Sequence, residues 1–160
     1  MELPELRYSF HTSLPNETVD AILADAQLGG EIYGAGGGGD LTLVAYEHEH
    51  PVATVIGSTR LCGAEMPVAV AYAERVVVVP SARGRWVGIK ALKKWFRYCY
   101  ALGFDVAATS YGEDSRSDLD KGFERYVKTR LKAVHQQWNG QDWYAMNLGT
   151  AVASERIERG

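Results

Sequence analysis

Polar and apolar positions divide the chain into short runs of alternating type. Leu6 to Thr12 reads as a first strand. Leu14-Pro15-Asn16-Glu17 opens a helix, with proline near its first turn and acids favoured by the helix dipole. Val19, Ile22, Leu23 and Ala26 continue it at helical spacing, and Gly29-Gly30 ends it. Leu41–Tyr46 and Val52–Ile56 read as two strands around the polar turn Glu47-His48-Glu49-His50-Pro51, hence a hairpin. Ala69 to Val79 is a further strand, and its Val76-Val77-Val78-Val79 run predicts burial on both faces at the centre of a sheet. Pro80 ends it.

Gly84 to Leu102 is strongly amphipathic. Gly88, Leu92, Trp95, Phe96 and Cys99 form an inner stripe, and Lys90, Lys93, Lys94 and Arg97 an outer face. Gly103 caps this helix. Phe104 to Thr109 is the next strand, expected to lie parallel to Val76–Val79 through a right-handed crossover. Ser115 to Lys121 suits a short helix closed by Gly122. Arg125–Val134 and Trp143–Leu148 read as strands around Trp138-Asn139-Gly140-Gln141-Asp142, where Asn-Gly is a hairpin signal. Ala151 to Gly160 has no apolar pattern and is expected to be a flexible tail.

At 160 residues the chain suits one domain, spanning 1–150 with the tail 151–160. Apolar residues are 46% and charged residues 23%, which argues against disorder, collagen and coiled coil. No run approaches a membrane span, and the acidic start Met1-Glu2-Leu3-Pro4-Glu5 does not resemble a secretory leader. Cys62 and Cys99 match no metal or redox spacing, so a reduced, cytoplasmic setting is expected. Charge is uneven: Arg83 to Lys132 holds 12 of the 17 Lys and Arg residues but 6 of the 20 Asp and Glu. An anionic ligand would sit on that second half, although a solvated helix face explains the same count.

Three stretches invite chemistry. Gly34 to Gly39 satisfies G-x-G-x-x-G, but that fingerprint must follow a strand and open a helix, whereas a strand comes next; a surface loop fits better. Glu47-His48-Glu49-His50 offers two histidines and two carboxylates, but no matched ligand set elsewhere, so no metal is expected. The third is Val76 to Gly88. A buried strand ends at Pro80, a helix begins within a few residues, and Arg83-Gly84-Arg85 occupies the junction. The first turn of a helix has unpaired N–H groups and a positive dipole end, and glycine lets a ligand approach the backbone. This is an anion site suited to a pyrophosphate, with Arg83 and Arg85 able to meet phosphate oxygens. No G-K-Ser/Thr follows, so it is not a P-loop.

A strand, Val-x-Pro, then Arg83-Gly84-Arg85-Trp86-Val87-Gly88 resembles the acyl-CoA pyrophosphate motif of the GNAT superfamily of N-acetyltransferases, Gln/Arg-x-x-Gly-x-Gly/Ala. Arg83 matches the first position and Gly88 the last, while Trp86 stands where the middle glycine is usual. Lys121-Gly122-Phe123 resembles the Gly-Phe that closes the family's last helix, and Leu43-Val44-Ala45-Tyr46 through Pro51-Val52 its early hairpin. Arg75-Val76-Val77-Val78 followed by Thr109-Ser110 resembles, more faintly, a branch frequent in phages and mobile elements. The resemblance spans about Leu6 to Leu148. It implies an α+β (α/β) fold with a mixed central sheet of about six to seven strands, helices on both faces and a splayed central strand pair.

It also implies acetyl-CoA as acyl donor and direct attack by a primary amine, which needs no protein nucleophile. Val77, Val78 and Val79 would bind the pantetheine through their backbone, and Arg83, Gly84, Arg85, Trp86, Val87 and Gly88 would hold the pyrophosphate. Glu74 is the first candidate base, ahead of His11, His48 and His50. The family's usual tyrosine acid falls at Asp118, so Tyr111, with Ser110 behind it, is the substitute proton donor for the thiolate. Each of these carries a plain structural reading beside it, a strand-end carboxylate for Glu74 and a turn before Gly112 for the other two. The acceptor amine is open between small molecule, protein and nucleic-acid base, and a homodimer is compatible. Other readings are a non-catalytic acyl-CoA-binding domain, a phage-type enzyme modifying DNA bases or a host protein, and a non-enzymatic nucleic-acid-binding module.

Overall fold

In a computed structural model of the chain the residues described are 5–11, 17–25, 40–62, 68–110, 129, 132–138 and 141–159. Hydrogen bonding links seven strands in the order β1-β2-β3-β4-β5-β7-β6, and the mixed sheet of the α+β class is therefore present. The chain divides into two compact units, Met1–Thr59 with Glu74–Trp95, and Arg60–Ala73 with Phe96–Gly160.

The first unit begins with β1, Leu6–His11, and helix α1, Glu17–Asp25, in which Val19, Ile22 and Leu23 are buried as their spacing requires. Strand β2, Thr42–Glu47, pairs antiparallel with β1, from Leu6 opposite Glu47 to His11 opposite Thr42. Thr42, Leu43, Val44 and Ala45 are all buried, so this strand is covered on both faces. Strand β3, His50–Cys62, is longer than the predicted Val52–Ile56. Its turn with β2 is also tighter than expected: only His48 and Glu49 separate the paired Glu47 and His50, and His48 takes the left-handed φ of 55°. A bulge between Ala45 and Tyr46 shifts the register of this hairpin. Gly57 of β3 sits where any Cβ would come within 2.5 Å of the Leu41 carbonyl and 2.8 Å of the Trp95 ring. Trp95, fully buried, uses that packing to donate its indole N–H to the same carbonyl at 2.6 Å.

The second unit holds β5, Val106–Ser110, β6, Val134–Trp138, and β7, Gln141–Asn147. β7 pairs antiparallel with β5 on one side and β6 on the other, and Trp138 lies opposite Gln141, the register expected of the Asn-Gly hairpin. Strand β4, Val68–Val78, begins in this unit, where Ala71, Tyr72 and Ala73 pair in parallel with Ala107, Ala108 and Thr109 of β5.

Several expectations are corrected. β5 takes its parallel partner from Ala71–Ala73 and not from Val76–Val79, and β4 continues to Val78 past the last of these pairs. The valine run is not equally buried on both faces: Val77 and Val79 are buried, Val76 and Val78 only partly. The strand expected over Arg125–Val134 does not hold where it is described, because Thr129 is helical and β6 starts at Val134. The expected tail Ala151–Gly160 lies, but for its last residue, in helix α3, Leu148–Arg159. Leu148, Ala151 and Val152 are buried on one side of that helix, and the Asn147 carboxamide oxygen accepts the Thr150 N–H at 3.0 Å as a cap. Gly34–Gly39, Ser115–Lys121 and Gly122 lie outside the described residues.

Candidate functional site

The junction between β4 and the next helix lies wholly in the first unit. After Val78 the chain makes a 3-10 turn, Pro80–Ala82, then a turn over residues 83–86, then helix α2, Val87–Ala101. Proline at the first position of the 3-10 turn has no N–H to leave unpaired. The helix therefore starts three residues later than its amphipathic pattern suggests, and Gly84 (φ 84°) and Trp86 (φ 62°) both take left-handed backbone in the interval. The Trp86 carbonyl accepts the Lys90 N–H at 2.9 Å and so begins the helical ladder. At the far end Gly103 (φ 102°) donates to the Tyr100 carbonyl and Phe104 to that of Cys99, the paired bonds of a Schellman cap.

This geometry decides which amides of the predicted anion cradle are already bonded. The Arg83 N–H is occupied, donating to the Pro80 carbonyl at 3.3 Å. The amides left without an intrahelical acceptor are those at the start of α2, from Val87 onward. No acidic residue stands in that first turn to neutralise the dipole.

Gly88 has a packing role beside the one its motif suggests. A Cβ there would approach the Val78 Cγ2 to 3.0 Å and the Val76 Cγ1 to 3.6 Å. The missing side chain lets the helix seat closely on β4. Gly84, by contrast, has open space around its Cβ position, and only its backbone conformation calls for glycine.

The orientation of the β4 backbone follows from one peptide plane. Val79 N–H donates to the Val52 carbonyl of β3 at 2.9 Å. In a trans peptide the preceding carbonyl points the opposite way, so the Val78 C=O faces away from β3. In extended backbone the N–H of that residue shares its direction. Of the three valines assigned to the pantetheine, Val79 has its N–H committed to β3, whereas the Val78 backbone is turned away from β3. Arg83 approaches it on that side, with Nε donating to the Val78 carbonyl at 3.2 Å, and its side chain is exposed.

Arg85 turns elsewhere. Its Nη1 donates to the Glu47 carboxylate at 2.7 Å, with side-chain exposures of 30% and 19%, and its Nη2 lies 3.4 Å from the Ser81 carbonyl. It ties the turn to the end of β2 and carries little uncompensated charge toward a ligand. Glu47 is the residue that sequence reasoning missed. In sequence it stands beside His48, Glu49 and His50, yet its partner lies 38 residues away and nothing local announces it.

Trp86 is 70% exposed, so it does not fill the interior behind the turn. Glu74 stands in β4, four residues before Val78, and Ser110 ends β5; their side chains, like all of Tyr111, Asp118 and Lys121-Gly122-Phe123, lie outside the described residues. His11 is placed away from this turn, on β1, its Nε2 3.1 Å from the Ser9 hydroxyl. His48 and His50 are exposed at the β2–β3 hairpin. No helix among the described residues is long and apolar enough to cross a membrane.

No protein-family model matches the sequence, and no curated protein does. Solved structures do resemble the fold. A chain of the NatC complex bound to Gag peptide and CoA superposes with a TM-score of 0.58 at 13% identity, covering 89% of this chain and 97% of that one. A mutant AtaT toxin bound to the C-terminus of the antitoxin AtaR gives 0.59 at 7% identity, covering 96% and 97%. A chain of the KacTA–DNA complex gives 0.59 at 10% identity, covering 97% and 99%. These likenesses over nearly the whole chain show the fold, a mixed sheet with a parallel β4–β5 step, and the chain has the GNAT fold.

Proposed function

We propose that this chain is a CoA-dependent N-acyltransferase that passes an acetyl group from acetyl-CoA to a primary amine. The observation that carries the reading is the turn between β4 and α2: a Val78 backbone turned away from β3, an exposed Arg83 beside it and acid-free first-turn amides, placed in succession within a GNAT fold. The carrier's amide-bearing arm would run beside the Val78 backbone. Its diphosphate would meet the amides from Val87 and the Arg83 guanidinium. For Arg83 to serve, its Nε bond to the Val78 carbonyl must yield to the ligand.

The chemistry then needs little from side chains. A neutral amine forms the new C–N bond to the acetyl carbon, the C–S bond breaks, and the thiolate leaves and takes up a proton. A backbone N–H near the thioester oxygen stabilises the negative charge that develops there. Glu74 is the proposed acceptor of the amine proton, directly or through water, and Tyr111 or Ser110 the proposed donor to the thiolate. The acceptor is an amine of unassigned carrier.

Calorimetric titration with acetyl-CoA, followed by thiol release over a panel of small amines, peptide amines and nucleic acids, tests the proposal. Saturable binding with amine-dependent release supports it. Binding without release on any amine would leave only a CoA-binding domain, and absence of binding would overturn it. Within a binding protein, Arg83→Glu should weaken acetyl-CoA by about tenfold or more.

A further inference from the structure

Trp86 is the residue that the fold explains least. It adopts φ 62°, a conformation that side chains beyond glycine, asparagine and aspartate rarely take. The residue is 70% exposed, whereas Trp95, nine residues on, is fully buried. The backbone around it would be easier to form with glycine, as Gly84 shows two residues earlier. The large exposed ring therefore adds nothing visible to the packing of the first unit. It does lie at the mouth of the turn, directly before the first amides of α2 and three residues from the exposed Arg83.

The acid-free first turn of α2 suits an anion, and the exposed indole just before it suits a flat, aromatic group. We propose that Trp86 is a stacking face for the purine ring of the acyl-CoA. The inference rests on the acyltransferase reading and adds to it the recognition of the nucleotide end. An indole face and a purine are both flat and apolar, and such stacking is strong enough to set affinity while tolerating a solvent-exposed edge. Arg85, held by Glu47, keeps the turn that carries Trp86 anchored to β2. On this view the tryptophan stands at the glycine position because a stronger hold on the nucleotide outweighs the backbone it strains.

The test is a comparison of Trp86→Phe, Trp86→Asn and Trp86→Gly by calorimetry with two probes, acetyl-CoA and S-acetylpantetheine, which lacks the nucleotide. Asparagine and glycine both accept left-handed backbone, so together they remove the ring without adding strain. Acetyl-CoA should bind Trp86→Asn and Trp86→Gly roughly tenfold more weakly than the wild type, and Trp86→Phe within about threefold of it. The affinity for S-acetylpantetheine should be the same in all four proteins. Equal or tighter acetyl-CoA binding by Trp86→Gly overturns the stacking role, as does a parallel loss for both probes. Failure of the wild type to bind acetyl-CoA at all would overturn the acyltransferase reading together with this one, whereas unchanged binding by the variants overturns this one alone.

Discussion

Arg85 and Glu47 meet across 2.7 Å, joining the turn before α2 to the last residue of β2. The pair is partly buried, so losing either partner leaves a charge that water solvates incompletely. It also determines which arginine of Arg83-Gly84-Arg85 faces outward. Arg85→Gln and Glu47→Gln should each lower stability by about 1 kcal/mol, and a double-mutant cycle should return a coupling of similar size. Chemical denaturation of the four proteins measures this. Additive losses would show that the two side chains merely lie close together. Arg85→Gln should also weaken acetyl-CoA less than Arg83→Gln does, because Glu47 already compensates its charge.

Gly88 and Val78 define how closely α2 approaches β4. Alanine at position 88 gains about 1 kcal/mol of helix propensity, but its Cβ would press on a branched side chain at 3.0 Å. The two effects oppose each other in the wild type. In a Val78→Ala background the crowding is gone and the propensity gain remains. Gly88→Ala should thus be more favourable in that background by about 1 kcal/mol, as measured from denaturation midpoints. An identical effect in both backgrounds would mean that the strand and helix adjust to each other freely.

Much of this fold can be read from local pattern. Val19, Ile22 and Leu23 announce α1, and Leu92, Trp95, Phe96 and Cys99 announce the inner face of α2, because a buried helical face needs period 3.6. Gly103 was legible as a cap because only its left-handed backbone allows the Schellman bonds. What escaped depended on distant partners. The tail became α3 through three buried residues and an Asn147 cap, too few apolar positions to make a pattern. The site shows the same division. Val78, Arg83 and Gly88 lie close together in sequence, so a single local motif gathers them as candidates. Glu47 comes from another strand, and the orientation of Arg85 follows from it. The helix start at Val87 was obscured because Gly84 and Trp86 both break the ladder, although amphipathicity extends across them.

Asn147 makes α3 testable in isolation from the site. Its side-chain oxygen accepts the Thr150 N–H at 3.0 Å, and the Leu148 N–H donates to the Asp105 carbonyl at 2.9 Å. Two of the first amides of the helix are thereby satisfied. Asn147→Ala should cost about 1 kcal/mol, while Asn147→Asp should retain the cap and gain from the helix dipole. Thermal unfolding of both variants would check the order. Equal melting temperatures for Asn147→Ala and wild type would remove the cap as the reason this segment is helical.

Gly57 carries the severest constraint in the first unit. Its absent side chain leaves room for both the Leu41 carbonyl and the Trp95 ring, which are themselves hydrogen-bonded to each other. A methyl group at 2.5 Å from a backbone oxygen cannot be relieved by a rotamer change, so β3 or α2 must move. Gly57→Ala should therefore cost more than about 2 kcal/mol, beyond the usual penalty for overpacking by one carbon. Trp95→Phe probes the same spot from the other side. It removes the indole donor and some ring volume, and should cost about 2 to 4 kcal/mol through the cavity and the lost hydrogen bond. If the smaller ring truly makes room, Gly57→Ala should be less damaging in the Trp95→Phe background than alone. A full penalty in both backgrounds would assign the clash to the Leu41 carbonyl, and the close approach of β3 to the start of β2 would then be the feature that requires glycine.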